Sequence, residues 1–274
     1  MDLSIIIVNY KERGFLRQCL KGIERAVPKV SYEVIVVDNN SNDESAEMVE
    51  EFFPAVRLLR HTINVGLAKG NNAGARLATG RYLLFLNCDI AVFKGTLEAL
   101  VRYLDEHPTV GIVAPKLLNP DRSVQISCYN FPSLLVPILR RSPLGRFSWA
   151  QPILRRYLML DYDHDTTQPI DWALGAALMV RRRAFDQIGG MDERYFLYLE
   201  DVDLCRQMWM RGWEVVYGTF VSLIHYHQRT SATSTGFGPL LNWHTRRHII
   251  SGIKYYTKYF RQPLPNKRRV PRHV

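Results

Sequence analysis

Long apolar runs are missing from this sequence. None approaches the ~20 residues that a membrane-spanning helix needs, so nothing in the chain predicts a span. The opening residues Met1-Asp2-Leu3-Ser4 lead into a short apolar run ending at Val8, with no positive n-region and no cleavage site. That pattern argues against a secretory leader. Cysteine is sparse: Cys19, Cys88, Cys128 and Cys205 stand far apart, and no CxxC pair exists. A zinc ribbon or redox motif is thereby excluded, and the usage fits reduced thiols in a cytosol. There is no internal repeat, no low-complexity linker, no GxGxxG and no Walker A loop. No nucleic-acid-binding motif appears either. The expectation is a cytoplasmic protein that does not bind nucleic acid.

The 274 residues suit one large α/β domain, or one with a C-terminal extension. The formal charge of +10 favours anionic partners. Part of the excess sits in Lys267, Arg268, Arg269 and Arg272, near the C-terminal end.

Strand and helix patterns alternate through the first half. Leu3 to Val8 is continuous and β-rich, as a buried parallel strand is. Phe15, Leu16, Cys19, Leu20 and Ile23 then recur at helical spacing. Val34 to Val37 predicts a second strand, and Ser41 with Glu44 a capping box opening a helix through Phe53. Val56 to Leu59 predicts a third strand, Gly70 to Ala78 a helix closed by Gly80, and Tyr82 to Leu86 a fourth strand. Leu97, Leu100, Val101 and Leu104 form another helical stripe. Such alternation implies a mostly parallel sheet covered on both faces. Residues 119–170 are rich in proline, arginine and aromatics, which predicts a long loop region with short helices. Regular patterning returns at Trp172 to Val180, followed by a short helix ending at Gly189-Gly190. A helix is expected from about Asp201 to Arg211, and a basic aromatic one from Leu240 to Phe260.

In sheets of this kind ligands bind beyond the carboxyl ends of the strands. Asp38-Asn39-Asn40-Ser41 follows the second strand, where a carboxylate can accept from a ribose or a base, or can simply make a turn. The glycine-spaced stretch Asn64 to Gly74 can approach a phosphate or cap a helix. Asp89, in Asn87-Cys88-Asp89, offers a hard oxygen to Mg²⁺ or Mn²⁺. Glu200, Asp201 and Asp203 crowd together among aromatics. Acids there can serve a helix dipole, or can have a raised pKa suited to a general base. His225-Tyr226-His227 puts two imidazoles in alternation, and on a strand both would face one site.

Singly these signals are weak; their order is specific. The chain resembles the family 2 glycosyltransferases of the GT-A fold, especially rhamnosyltransferase-like members. The likeness runs from Ser4-Ile5-Ile6-Ile7-Val8-Asn9 through Val36-Val37-Asp38-Asn39-Asn40-Ser41, the Asn64–Gly74 loop, and Leu86-Asn87-Cys88-Asp89. It continues through Trp172 to Arg181 and Gly189-Gly190-Met191-Asp192-Glu193, and on to about Ser231.

The resemblance implies an α/β GT-A fold, a mostly parallel central sheet flanked by helices, with a C-terminal helical extension. It implies a catalytic domain over residues 1–238, nucleotide-binding to about 115 and acceptor-binding after it, and an extension over 239–274. Val8, Asn9, Asp38, Lys69, Asn71 and Asn87 would line the nucleotide. Asp89 would bind a divalent ion, Mg²⁺ or Mn²⁺, completed by His225 or His227. Trp172 and Gly175 would lie where donor sugar and acceptor meet. Asp201 would be the general base, with Glu200 and Asp203 orienting the acceptor or capping the helix. Many relatives have Asp-x-Asp where this chain has Asn87-Cys88-Asp89. Asn is common there in rhamnosyltransferase-like members, and Cys88 replaces their usual proline.

The implied activity is inverting transfer of L-rhamnose from dTDP-rhamnose, or of a sugar from a UDP-sugar, to a polysaccharide or lipid-linked glycan. The basic C-terminus would suit contact with an anionic membrane. Three rivals are weighed against this. A nucleotidyltransferase needs a Gly-rich basic loop after the first strand, where Asn9-Tyr10-Lys11-Glu12-Arg13-Gly14 stands instead. A nucleic-acid-binding protein does not account for Asp89 and Glu200 to Asp203. A non-catalytic glycan-binding scaffold need not keep Asp89, Asp201 and a late histidine.

Overall fold

The computed structural model describes residues 1–226 and 242–265. His227 and the basic residues Lys267, Arg268, Arg269 and Arg272 lie outside the described residues. In chain order the elements begin β1 (Leu3–Asn9), α1 (Arg13–Ala26), β2 (Tyr32–Asp38), α2 (Ser45–Phe52), β3 (Arg57–Arg60), α3 (Leu67–Leu77) and β4 (Tyr82–Leu86). Then come β5 (Ile90–Ala91), α4 (Thr96–Glu106), β6 (Val110–Leu118), β7 (Val124–Gln125), β8 (Cys128–Tyr129), α5 (Leu135–Arg141) and α6 (Gln151–Tyr157). The last are β9 (Gln168–Pro169), β10 (Trp172–Ala173), β11 (Ala177–Arg181), α7 (Arg182–Gln187), α8 (Glu200–Met210), β12 (Glu214–His225) and α9 (Trp243–Lys258). No helix among the described residues is long and apolar enough to cross a membrane.

The central sheet has the order β3-β2-β1-β4-β11-β6-β12-β5. The first four strands are parallel neighbours; β11 then runs antiparallel between β4 and β6, β12 is parallel to β6, and β5 is antiparallel to β12. Strand alternation divides the core. Leu3, Ile5 and Ile7 face the layer of α1, α2 and α4, while Ile6, Ile35 and Phe85 face the layer of α3 and α8. The stripes at Leu16, Cys19, Leu20 and Ile23 and at Leu97, Leu100, Val101 and Leu104 are all buried, as helical spacing predicts.

Several elements differ from the sequence expectations. No capping box forms at Ser41 and Glu44: α2 starts at Ser45, with no side-chain cap bond. The Ser41 hydroxyl instead donates to Asp38 Oδ1 at 2.5 Å, and Asp43 takes the Ser45 amide. Helix α3 starts before Gly70, and Gly80 does not close it, since the C-cap is an extended Ala78. Trp172–Val180 breaks into β10 and β11, leaving Leu174–Ala176 between them. Strands β6 and β12 were not anticipated. Gly111 and Pro115 interrupt the apolar pattern of β6, and Gly218 stands opposite Pro115 where the register of β12 shifts.

Gly66 ties the two halves together. It lies at φ +88°, and a Cβ there would come within 2.5 Å of the Phe196 carbonyl oxygen. The next residue, Leu67, donates to that same oxygen at 2.8 Å. Gly66→Ala is therefore expected to cost roughly 1–3 kcal/mol, read as a lower midpoint in chemical denaturation.

Candidate functional site

The carboxyl ends of β1, β2 and β4 present Asn9, Asp38 and Asn87 at one edge of the sheet. Because β11 is antiparallel, its amino end reaches that same edge, with Ala177 opposite Leu86. Two hydrogen bonds then join loops distant in sequence. Asn87 N–H donates to the Ala176 carbonyl at 2.8 Å, and Gly175 N–H donates to Asp201 Oδ2 at 3.0 Å. The Asn87–Asp89 loop and the acidic start of α8 are thus joined through two adjacent residues, Gly175 and Ala176.

Asp89 lies close to His225. His225 Nε2 is 3.3 Å from Asp89 Oδ2, and its Nδ1 is 2.9 Å from Gln125 Oε1. The His225 ring thus bridges Gln125 and the Asp89 carboxylate. Asp89 Oδ1 is buried with no hydrogen-bond partner among the described residues. An imidazole and a carboxylate converging in this way fit a divalent cation. No cluster of three His, Cys, Asp or Glu forms among the described residues, and His227, the alternative ligand, lies outside them. Cys88 remains a thiol: burial, then the Asp89 charge, pushes it well above the ordinary thiol value. Sequence reasoning missed Gln125, which sits on a two-residue strand inside the irregular middle.

Glu200 and Asp201 begin α8 and are both buried. Burial raises both carboxyls, and for Glu200 the Asp201 charge adds to it. Their surroundings differ. Asp201 accepts from Gly175 N–H and, at 2.8 Å, from Val202 N–H, which favours its ionised form. Glu200 Oε2 is buried without a partner among the described residues. Hydrogen bonding thus favours the ionised form at Asp201 more than at Glu200. Two consecutive non-glycine residues, Tyr198 and Leu199, hold left-handed φ values of 69° and 67° just before them. Such backbone persists only where its surroundings enforce it. The brace is α9: Ser251 Oγ donates to Leu197 O at 2.8 Å, and Tyr198 OH is 3.1 Å from His244 Nδ1.

Asp203, expected to orient the acceptor or cap the helix, is engaged elsewhere. Its buried carboxylate accepts from Lys258 and Tyr259 of α9, each at 2.8 Å. The structure does not bring it to Gly175 with Asp201; helical spacing turns it toward α9.

The nucleotide candidates divide similarly. Asp38 is buried in a turn, accepting from Asn9 Nδ2 at 3.1 Å and from both the amide and hydroxyl of Ser41. Asn9 Oδ1 and Asn39 Oδ1 are buried without partners among the described residues. Val8 is half-buried against Gly70, and Lys69 is exposed. Asn71 is buried, with its Nδ2 3.5 Å from Met191 Sδ. Neighbouring Asn72, which sequence reasoning did not select, pairs with both the N–H and carbonyl of Met191. Trp172 is buried in a stack on Tyr129, with ring centroids 4.4 Å apart, and donates to Asn130 O.

The chain has matches among characterised proteins. The model for "Glycosyl transferase family 2" covers residues 4–189. The chain belongs to this family. As a family 2 member it is 30% identical to the N-acetylglucosaminyl-diphospho-decaprenol L-rhamnosyltransferase of Mycobacterium tuberculosis, over 96% of this chain and 87% of that protein. It is 24% identical to the rhamnosyltransferase WbbL of Escherichia coli K12, over 93% and 92%. Among solved structures, GalNAc-T7 with UDP, GalNAc and Mn²⁺ superposes with a TM-score of 0.63 at 16% identity, over 83% of this chain and 44% of that one. The mannosyltransferase PcManGT of Pyrobaculum calidifontis, with GDP-Man and Mn²⁺, gives 0.58 at 20% identity, over 83% and 57%. The chain thus spans about half the length of these two structures. They show that this family 2 glycosyltransferase has the GT-A fold.

The raised Glu200 carboxyl has a consequence for stability. A carboxyl whose folded value is raised contributes stability fully below its unfolded value, and that contribution is lost as pH rises through the folded value. Glu200→Gln removes the penalty of ionisation. Its melting temperature is expected to exceed that of the unsubstituted protein at alkaline pH, by about 2–4 °C per kcal/mol recovered, with the gap closing in acid. An equal difference at every pH would contradict a raised Glu200 carboxyl.

Proposed function

We propose that this chain is a metal-dependent inverting glycosyltransferase that moves L-rhamnose from dTDP-L-rhamnose to a hydroxyl of a lipid-linked glycan or polysaccharide. The observation that carries the reaction class is Asp201, buried at the start of α8 and held by Gly175 N–H within three residues of the Asn87–Asp89 loop. The names of the mycobacterial and Escherichia coli relatives support the rhamnosyl donor, and the former's name also supports a lipid-linked acceptor.

Asp201 would take the proton of the acceptor hydroxyl as its oxygen attacks the anomeric carbon. The bond to the nucleotide diphosphate breaks on the opposite side, so one in-line displacement inverts the carbon. Asp89 and His225 would hold a divalent ion, which when bound offsets charge on the departing diphosphate. Glu200, whose carboxyl is raised by burial and by the Asp201 charge, would support the position of Asp201. Asn9, Asn39 and Asn87 would face the nucleotide, with the unpartnered amide oxygens of Asn9 and Asn39 offering acceptors to it. Asp38 would shape that wall through its turn.

Asp201→Asn is expected to keep donor binding and lose about 10²- to 10⁴-fold in kcat. Near-normal turnover would remove Asp201 as the base. Thermal stabilisation by a panel of nucleotides with and without Mg²⁺ or Mn²⁺ tests the donor, since a ligand of the native state raises the melting point by mass action. The expected result is a metal-dependent shift, larger with dTDP-rhamnose than with UDP-sugars and abolished by Asp89→Ala. A preference for UDP-sugars would replace the donor, and no shift at all would favour the scaffold reading.

A further inference from the structure

One broad surface of the molecule turns apolar side chains outward. Leu134, just before α5, is 65% exposed, and Ile138 52%, Phe147 54% and Trp149 53%, in α5 and the turn after it. Helix α9 does the same along one stripe. It buries Thr245, Ser251, Tyr255 and Tyr259, while Arg246, Ile249, Ile250 and Ile253, at helical spacing, are exposed. A helix packed on a domain ordinarily buries its isoleucines, and exposed apolar groups on this scale mark an interaction site. The two elements adjoin: Tyr256 OH of α9 donates to Ser133 O at 3.0 Å, beside the start of α5.

Charge identifies the partner. Between Asp121 and Asp161 the sequence holds six arginines and no acid, and after Glu214 it holds no acid at all. Arg140, Arg146 and Arg246 are exposed among the apolar groups. A second copy of this chain would set arginines against arginines, which is repulsive. An anionic lipid surface matches both features, with phosphates for the guanidinium groups and acyl chains for the leucines, isoleucines and tryptophan.

We propose that α5, the turn after it and the outer face of α9 form a docking surface for an anionic phospholipid membrane. The surface adjoins the site. Tyr157 of α6 stacks with Tyr129, and Tyr129 with Trp172, three residues before Gly175. Docking there puts the start of α8 beside the layer where a lipid-linked acceptor is held. That last consequence rests on the function proposed above, whereas the docking surface does not.

The test is flotation of the full chain with vesicles of phosphatidylcholine, with and without phosphatidylglycerol, at low and high salt. The protein is expected to float with the phosphatidylglycerol vesicles and to be released by salt. Ile138→Glu with Trp149→Glu, and separately Arg140→Ala with Arg146→Ala, should each weaken partitioning by about ten-fold or more, with melting temperatures unchanged. An Ile250→Glu variant provides the same test from α9. Four results would overturn the proposal: no flotation of the unsubstituted protein, undiminished flotation of these variants, release by Arg268→Glu with Arg269→Glu alone, or a stable dimer that the apolar substitutions split. Vesicle binding needs no turnover, so its failure is separate from any failure of the proposed reaction.

Discussion

The site depends on one strand running the wrong way. A fully parallel sheet would carry the chain leading into β11 to the edge opposite Asn9, Asp38 and Asn87. Antiparallel pairing of β11 with β4 returns that segment to their edge. The Gly175 N–H then holds Asp201 while the neighbouring Ala176 carbonyl holds Asn87. Both contacts use the backbone of Gly175 and Ala176, and one of them engages the Asp201 carboxylate directly. Gly175 is constrained for another reason: a Cβ there would lie 3.2 Å from Asp201 Cβ.

Within the site, burial alone does not assign roles. Glu200 and Asp201 are adjacent and both are withdrawn from water. They differ in hydrogen bonding: two amide donors converge on Asp201, while Glu200 Oε2 has no partner among the described residues. In a low-dielectric setting that difference favours the ionised form at Asp201. At Asp89 the same logic operates with a histidine whose second nitrogen is fixed by Gln125.

Much of this was legible in the sequence because local rules govern it. The apolar run Leu3 to Val8 and the stripe Leu16, Cys19, Leu20 and Ile23 follow from burial and periodicity alone. The approach of Asp89 to His225 rests on β12, whose pattern is broken at Gly218 and so was not read as a strand. Gln125, Asn72 and the Lys258 contact of Asp203 carry no local signature, since their partners lie 55 to 119 residues away or more. The capping box failed for a related reason: the Ser41 hydroxyl has a buried acceptor in Asp38. Order among motifs supplied what spacing within each did not.

The left-handed pair Tyr198 and Leu199 has a bearing on biosynthesis. The groups that hold this segment, His244 and Ser251, belong to α9, which follows every other described element in the chain. Domains made on the ribosome gain structure from the amino end first. The edge that carries Asn9, Asp38 and Asn87, built from β1, β2 and β4, can therefore assemble early in synthesis. The acids of α8 acquire their brace only after α9 has emerged, so nascent chains have that edge before the start of α8 is fixed.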